Sequence, residues 1–305
     1  MIQISLVGLG AGVAAAALFA SVASGSIAAI LLFYLAPLPI LIAALGWSHV
    51  AGLIAAASAT AIVGIVSGTF FLAVPAIAFS AWWLGHLALL ARPSSRAEGV
   101  ELEWYPVGRL VLWAAMMGAL VVVVAIPSFG IDQESLQAGL RKSYGRILSD
   151  PAAIDLLVIV APPAAAAFSS LLNVLNLWLA ARIVRLSGRL VRPWPNLAAL
   201  TFPPQISGLL VLALGGSFLP DLPGISCSIW AASLVIVFAV LGLAVLHWAT
   251  QGMNLRAVLL ASVYGTAIVL GWPLLLIALV GLWENLFNIR ARIARRRGYP
   301  SLTNR

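Results

Sequence analysis

An all-α, polytopic membrane protein is the fold class this sequence predicts, and three observations predict it. Apolar residues fill 63% of its 305 positions and charged residues only 9%, against about 45–50% and about 25% in an average soluble chain. Mean hydropathy is +1.08, and apolar runs of roughly the 20 residues that a spanning helix needs recur from Ile4 to Trp283. These runs lack the polar–apolar alternation of a barrel strand, so helices are the spanning elements.

The first run, 4–22, has no Lys or Arg before it, unlike the positive start of a cleaved secretory signal, and is expected to remain as a span. Its Gly8, Gly12, Ala16 and Ala20 recur every four positions and make a flat stripe for a neighbouring helix. The glycines of Gly8-Leu-Gly-Ala-Gly12 follow no strand and lack the G-x-G-x-x-G spacing, so packing is preferred to nucleotide binding. The second run, 27–46, contains Pro37 and Pro39, which remove two amide donors and free carbonyls that must be buried in protein or face water. Broken transporter helices bind substrate or ions through such carbonyls; a plain kink is the alternative. The third run, 50–68, repeats small residues at Gly52, Ala56, Thr60, Gly64 and Gly68. A fourth, 70–91, completes an N-terminal four-helix unit over 1–91.

A cytoplasmic loop, 92–107, carries Glu98, Glu101 and Glu103, read as a solvated acidic segment in preference to a cation site. A C-terminal bundle over 108–289 follows. Its spans are 108–126 and 155–181, separated by an outer segment in which Leu136, Leu140, Tyr144, Ile147 and Leu148 fall at helical spacing. That spacing predicts an amphipathic helix near 133–148 on the outer membrane face. Spans 199–218 and 227–248 come next. The last apolar tract, 256–287, would be about 48 Å long as one helix, well beyond a hydrocarbon core of about 30 Å. Gly271-Trp272-Pro273 lies at its midpoint, which predicts a tight terminal hairpin over 256–289. A basic tail, 290–305, closes the chain.

About ten spans result, within a range of eight to ten, and the basic residues orient them. With both termini cytoplasmic, fourteen of the 17 Lys and Arg fall inside: Arg92, Arg96 and Arg109; Arg182, Arg185, Arg189 and Arg192; Arg256; and the tail from Arg290 to Arg305. Only Arg141, Lys142 and Arg146 fall outside, in keeping with retention of basic loops in the cytoplasm. The net charge of +8 is assigned to anionic lipid headgroups at these arginine clusters. No nucleic acid is expected, because the tail has no interleaved stacking aromatics.

Polar side chains inside spans are costly and carry the functional hypotheses. Ser169, Asn173 and Asn176 recur at i, i+4 and i+7 in the sixth span and present a hydroxyl and two amides on one face, two turns after Pro162-Pro163. With Pro37 and Pro39 they form the candidate ligand-binding set, helix-to-helix glue being the other reading. Folding the terminal hairpin about Trp272 sets Arg256 level with Asn288 and near Glu284, so Arg256 and Glu284 are expected to pair, for pinning or for proton or ion coupling. His49, His86 and His247 lack the i, i+4 spacing of a helical metal pair, and Cys227 is the single cysteine. With no P-loop, G-x-S-x-G or H-E-x-x-H, no catalytic residue, metal or cofactor is expected, and an enzyme is disfavoured.

The stretch from Leu31 to Gly52, together with Asn173–Gly188, Arg192-Pro-Trp-Pro195 and Gly281–Arg292, resembles the YybS-like family of bacterial predicted inner-membrane proteins over most of the chain. The N-terminal half of that family is more distantly similar to the S components of energy-coupling-factor transporters. The resemblance implies a small-molecule-binding fold in a bacterial inner membrane and transfers no ligand or catalytic residue; because the sequence has no ATPase motif, active uptake is expected to need a separate energising or partner subunit, or coupling through Glu284. The function expected is transporter-like binding of a small molecule within the helix bundle. The alternative is a membrane scaffold or assembly factor that docks a partner through its cytoplasmic arginine loops.

Overall fold

The computed structural model describes residues 1–67, 73–93 and 102–296. It is helical almost throughout and divides into two compact units, Met1–Trp194 and Pro195–Arg305. The segment 92–107, expected to separate two transmembrane units, lies inside the first one. Helices on either side of it pack together, so the division falls at Trp194 instead. Gly68, Arg96, Glu98, Glu101, Arg297 and Arg305 are outside the described residues.

The first unit opens with α1 (Ile2–Ala20), α2 (Ile27–Tyr34), α3 (Pro37–Gly46), α4 (His49–Ser67) and α5 (Ala73–Ala88). A short antiparallel ribbon follows, β1 (Ala91–Pro93) with β2 (Leu102–Trp104), where Arg92 faces Glu103 and pairs with it at 2.9 Å. Then come α6 (Val107–Ala125), α7 (Gln133–Tyr144) and α8 (Pro151–Leu186).

α2 and α3 are two halves of one apolar span. The helix breaks because Pro37 and Pro39 have no amide hydrogen for the preceding turn. The Ala36 amide donates instead to Phe33 at 3.1 Å and the Leu38 amide to Leu35 at 2.9 Å. The carbonyl of Tyr34, which Leu38 would bond in a regular helix, is left out of the ladder.

α3 lies between α4 and α5 and buries Ile40, Leu41, Ala43, Ala44 and Leu45. A methyl group added at Gly52 of α4 or at Gly85 of α5 would come within 2.6 Å of the Ala44 methyl. α1 rests on α4 at Gly8, where a methyl would meet Ile54 at 2.8 Å, and at Gly12, where it would overlap Ser58. The expected α1 stripe is therefore a helix contact for Gly8, Gly12 and Ala16, whereas Ala20 is exposed. The α4 stripe is divided: α1 covers the neighbouring face through Ala55 and Ser58, whereas a methyl added at Gly64 would meet nothing within 4 Å among the described residues.

α7 begins in a capping box, with the Asp132 carboxylate accepting from the Ser135 amide at 2.8 Å, and buries Leu136 and Leu140. The expected helix near 133–148 stops short, at Tyr144, and Ile147 beyond Gly145 is exposed. α8 starts on an Asp150 cap with Pro151 in its first turn. Its 36 residues run unbroken through Pro162-Pro163, about 54 Å in all.

The second unit contains a 3-10 turn at 197–199, α9 (Gln205–Gly216), α10 (Asp221–Ala249), α11 (Arg256–Leu270), α12 (Pro273–Phe287) and α13 (Ile289–Arg296). The expected span 199–218 shrinks to the 12 residues of α9, because Pro203 and Pro204 disfavour helical geometry in the residues before them. The final tract breaks as expected, at Gly271 with φ 71°. Its halves do not form a tight hairpin, however. α12 packs along α10, where a methyl at Gly242 would strike the Ile277 carbonyl and one at Gly281 the Phe238 carbonyl, and α11 buries only Ala267.

Candidate functional site: the broken helix and the polar face of α8

The Asn176 amide group meets the break between α2 and α3. Its Nδ2 donates to the stranded Tyr34 carbonyl and to Leu172 of its own helix, both at 3.0 Å. Two carbonyl acceptors fix which end of the amide is nitrogen. The opposite end, Oδ1, is sealed from solvent and has no hydrogen-bond donor among the described residues. Pro37 is buried, Pro39 half-buried, and the Tyr34 ring packs edge-on against Phe168 of α8 at 5.1 Å. The structure thus gathers Asn176 and the Pro37 break into one place, as the sequence predicts for a polar face beside a kinked span.

The rest of that face differs in register. Asn173 is buried and donates to Ala114 of α6 at 3.0 Å. Ser169 is only half-buried; its neighbour Ser170 is fully buried, with Oγ 2.7 Å from the Ala166 carbonyl and 3.2 Å from that of Ala115 in α6. The buried line along α8 is Ala166, Ser170, Asn173, Asn176, Ala180 and Val184, and Ser169 stands about 100° around the helix from Ser170, turned away from the side that meets α6. A methyl at Gly118 of α6 would come within 2.5 Å of Ser170, and this close approach is what puts the hydroxyl within reach of the Ala115 carbonyl.

A second polar cluster corrects the expected ion pair. Glu284 does not pair with Arg256. It pairs with Arg290, whose backbone amide and Nε donate to Glu284 Oε2 and Oε1 at 3.0 and 2.8 Å. Asn288 ends α12 in the left-handed region at φ 49° and turns the chain back so that residue 290 reaches residue 284. The remaining guanidinium nitrogens donate to the Ala198 and Leu200 carbonyls, and both charged residues are buried. Arg256 instead approaches His247 Nδ1 at 3.5 Å, and His247 Nε2 lies 2.9 Å from the Tyr264 hydroxyl. The mirror-image register expected for the hairpin fails because α12 takes its position from α10 and not from α11.

At the end of the first unit where α3, α5 and α8 finish, the aromatic and basic residues converge. The His49 and His86 rings lie 5.0 Å apart beside Trp82, whose Nε1 donates to the His49 carbonyl at 3.0 Å. Arg192 donates to the Ala88 and Tyr105 carbonyls at 3.1 and 2.7 Å, and burial lowers its pKa from the ordinary arginine value. On the flank of α4 and α5, a cavity of about 410 Å³ is lined by Ala57, Thr60, Ala61, Gly64, Ile65 and Phe79, with the Thr60 hydroxyl lacking a hydrogen-bond partner. Among the described residues no three His, Cys, Asp or Glu side chains form a group able to hold a metal. No family, curated protein or solved structure matches this chain.

Proposed function

We propose that the chain is a ten-span, transporter-like protein of a bacterial inner membrane, with both termini cytoplasmic, that binds a small, largely apolar or zwitterionic molecule beside the break between α2 and α3. Among the described residues, six helical stretches are long and apolar enough to cross a membrane. Four shorter apolar helices, α5, α9, α11 and α12, bring the number to ten, and the basic residues support the orientation. Membership of the YybS-like family belongs to the same proposal, and with no ATPase motif in the sequence, uptake would require separate energising subunits or coupling through Glu284.

Asn176 carries the binding reading. A buried acceptor without a donor costs about 1–3 kcal/mol, and an O–H or N–H of a molecule entering at the helix break would satisfy Oδ1. Native mass spectrometry of the purified full chain tests this. A retained small molecule that is lost in Asn176→Leu and kept in Asn173→Leu is the expected result; a wild-type spectrum without one counts against it.

A scaffold role is the second reading. It is supported by the use of Ser170, Asn173 and both Nδ2 hydrogens of Asn176 on backbone carbonyls, which is how polar side chains fasten helices together. A retained protein in the same spectra, with no small molecule, would favour it.

A further inference from the structure

The arginines of the first unit differ in how their charge is met. Arg92 pairs with Glu103, Arg141 pairs with Asp155 at 2.8 Å, and Arg192 donates to two backbone carbonyls. Arg182, Arg185 and Arg189 are exposed, and none of them has a carboxylate partner among the described residues. No Asp or Glu occurs in the sequence between Asp155 and Asp221.

These three are nevertheless held in place by tryptophan. α8 ends at Leu186, Gly188 turns the chain at φ 70°, and the returning segment, fastened by Arg192, brings Trp194 back to the helix. The Arg182 and Arg185 guanidinium carbons lie 5.5 and 5.0 Å from the centre of that one ring, and Arg182 also lies 6.0 Å from Trp178. Arg189 sits 4.5 Å from the centre of the Trp47 ring, at the end of α3. Stacking on a ring fixes a guanidinium without using its N–H donors. Several oriented donors with unbalanced positive charge, set among tryptophans at the end of an apolar span, are what a phosphodiester in the membrane–water interface would meet.

We propose that Arg182 and Arg185, held on Trp194, form a binding site for the headgroup of an anionic phospholipid. The proposal rests on α8 spanning the membrane and is independent of the small-molecule reading, which is tested at Asn176. Charge complementarity selects the occupant: an acidic protein surface could balance the charge, but it would have to compete with lipid at every moment of the protein's life in a bilayer.

The full chain in dodecyl maltoside, titrated with dioleoylphosphatidylglycerol or dioleoylphosphatidylcholine and followed by native mass spectrometry, provides the test. The wild type should retain phosphatidylglycerol in preference to phosphatidylcholine. R182Q/R185Q should weaken phosphatidylglycerol retention by about tenfold or more, since each juxtamembrane arginine contributes appreciably to headgroup attraction. R109Q, which removes an exposed arginine at the start of α6, should leave retention near the wild-type level. W194L should weaken retention although every charge remains, and W194F should restore it. Equal retention of the two lipids would overturn the proposal, as would R109Q matching the double variant. Displacement of the lipid by millimolar inorganic phosphate would also overturn it, in favour of a soluble anion. The arginine variants change exposed side chains, so the comparison stands even if W194L fails to fold.

Discussion

Glu284 shows how much a single buried charge depends on its counterpart. Removing one member of a buried pair leaves the other desolvated and typically costs about 3–5 kcal/mol. Glu284→Gln and Arg290→Gln are each expected to destabilise the protein on that scale, while the double variant loses clearly less than the sum; unfolding in mixed micelles through a double-mutant cycle measures this. Arg256→Gln should leave Glu284 unaffected, which separates the observed pair from the one expected on hairpin symmetry. Asp132 offers a pH test at the same scale. The Ser135 backbone amide, followed by the Ser135 hydroxyl, holds its carboxyl below the usual 3.8. A depressed carboxylate stabilises the folded state fully above its unfolded pKa, and that contribution fades as pH falls through the lower folded value. Amide protection in the first turn of α7 should therefore drop on acidification below about pH 4, and Asp132→Ala should show weak protection with little pH dependence.

The contact between α10 and α12 depends on two glycines 39 positions apart, and neither belongs to a repeating stripe. Each takes the other helix's backbone, not a flexible side chain, where a Cβ would be. Gly242→Val or Gly281→Val should lower stability by about 3 kcal/mol or more, at the upper end of overpacking effects, because neither helix can yield by a rotamer change. Gly10→Val in α1, where nothing lies within 4 Å, is the control and should be near neutral in a melting experiment. Several elements were legible in sequence for local reasons: Pro37 with Pro39, and Gly271 with Pro273, marked the breaks at 35–36 and 271–273, although Pro162-Pro163 leaves α8 unbroken. The α8 face was legible to within one residue, since Ser169 and Ser170 differ only in which side of a 100° step faces α6. The partner of Glu284 was not legible. It depends on a left-handed Asn288 and on α12 docking against α10, and neither follows from apolar periodicity.

At the scale of the molecule, the distribution of length is informative. The six long apolar stretches and the helices of 12 to 16 residues cannot all cross in the same way, because 12 residues reach only about 18 Å. The proposed topology places Trp272 outside and Arg305 inside. Reporter fusions at those two positions should give opposite signals; an outside signal after Arg305 would remove α11 and α12 as separate spans and leave an odd number. The division at Trp194 was invisible in composition, because the charged loop 92–107 is the more conspicuous break in sequence although helices bridge it in space.

The corner at Asn288 also sets an order of events during synthesis. Glu284 is made six residues before the Arg290 that neutralises it in the fold. Until residue 290 joins it, α12 carries a carboxylate without the partner it has in the fold, and desolvating that end of the helix is costly. A chain truncated after Phe287 should therefore yield to a membrane protease sooner than one extended by three residues to Arg290, so that a single later arginine decides whether α12 is secured.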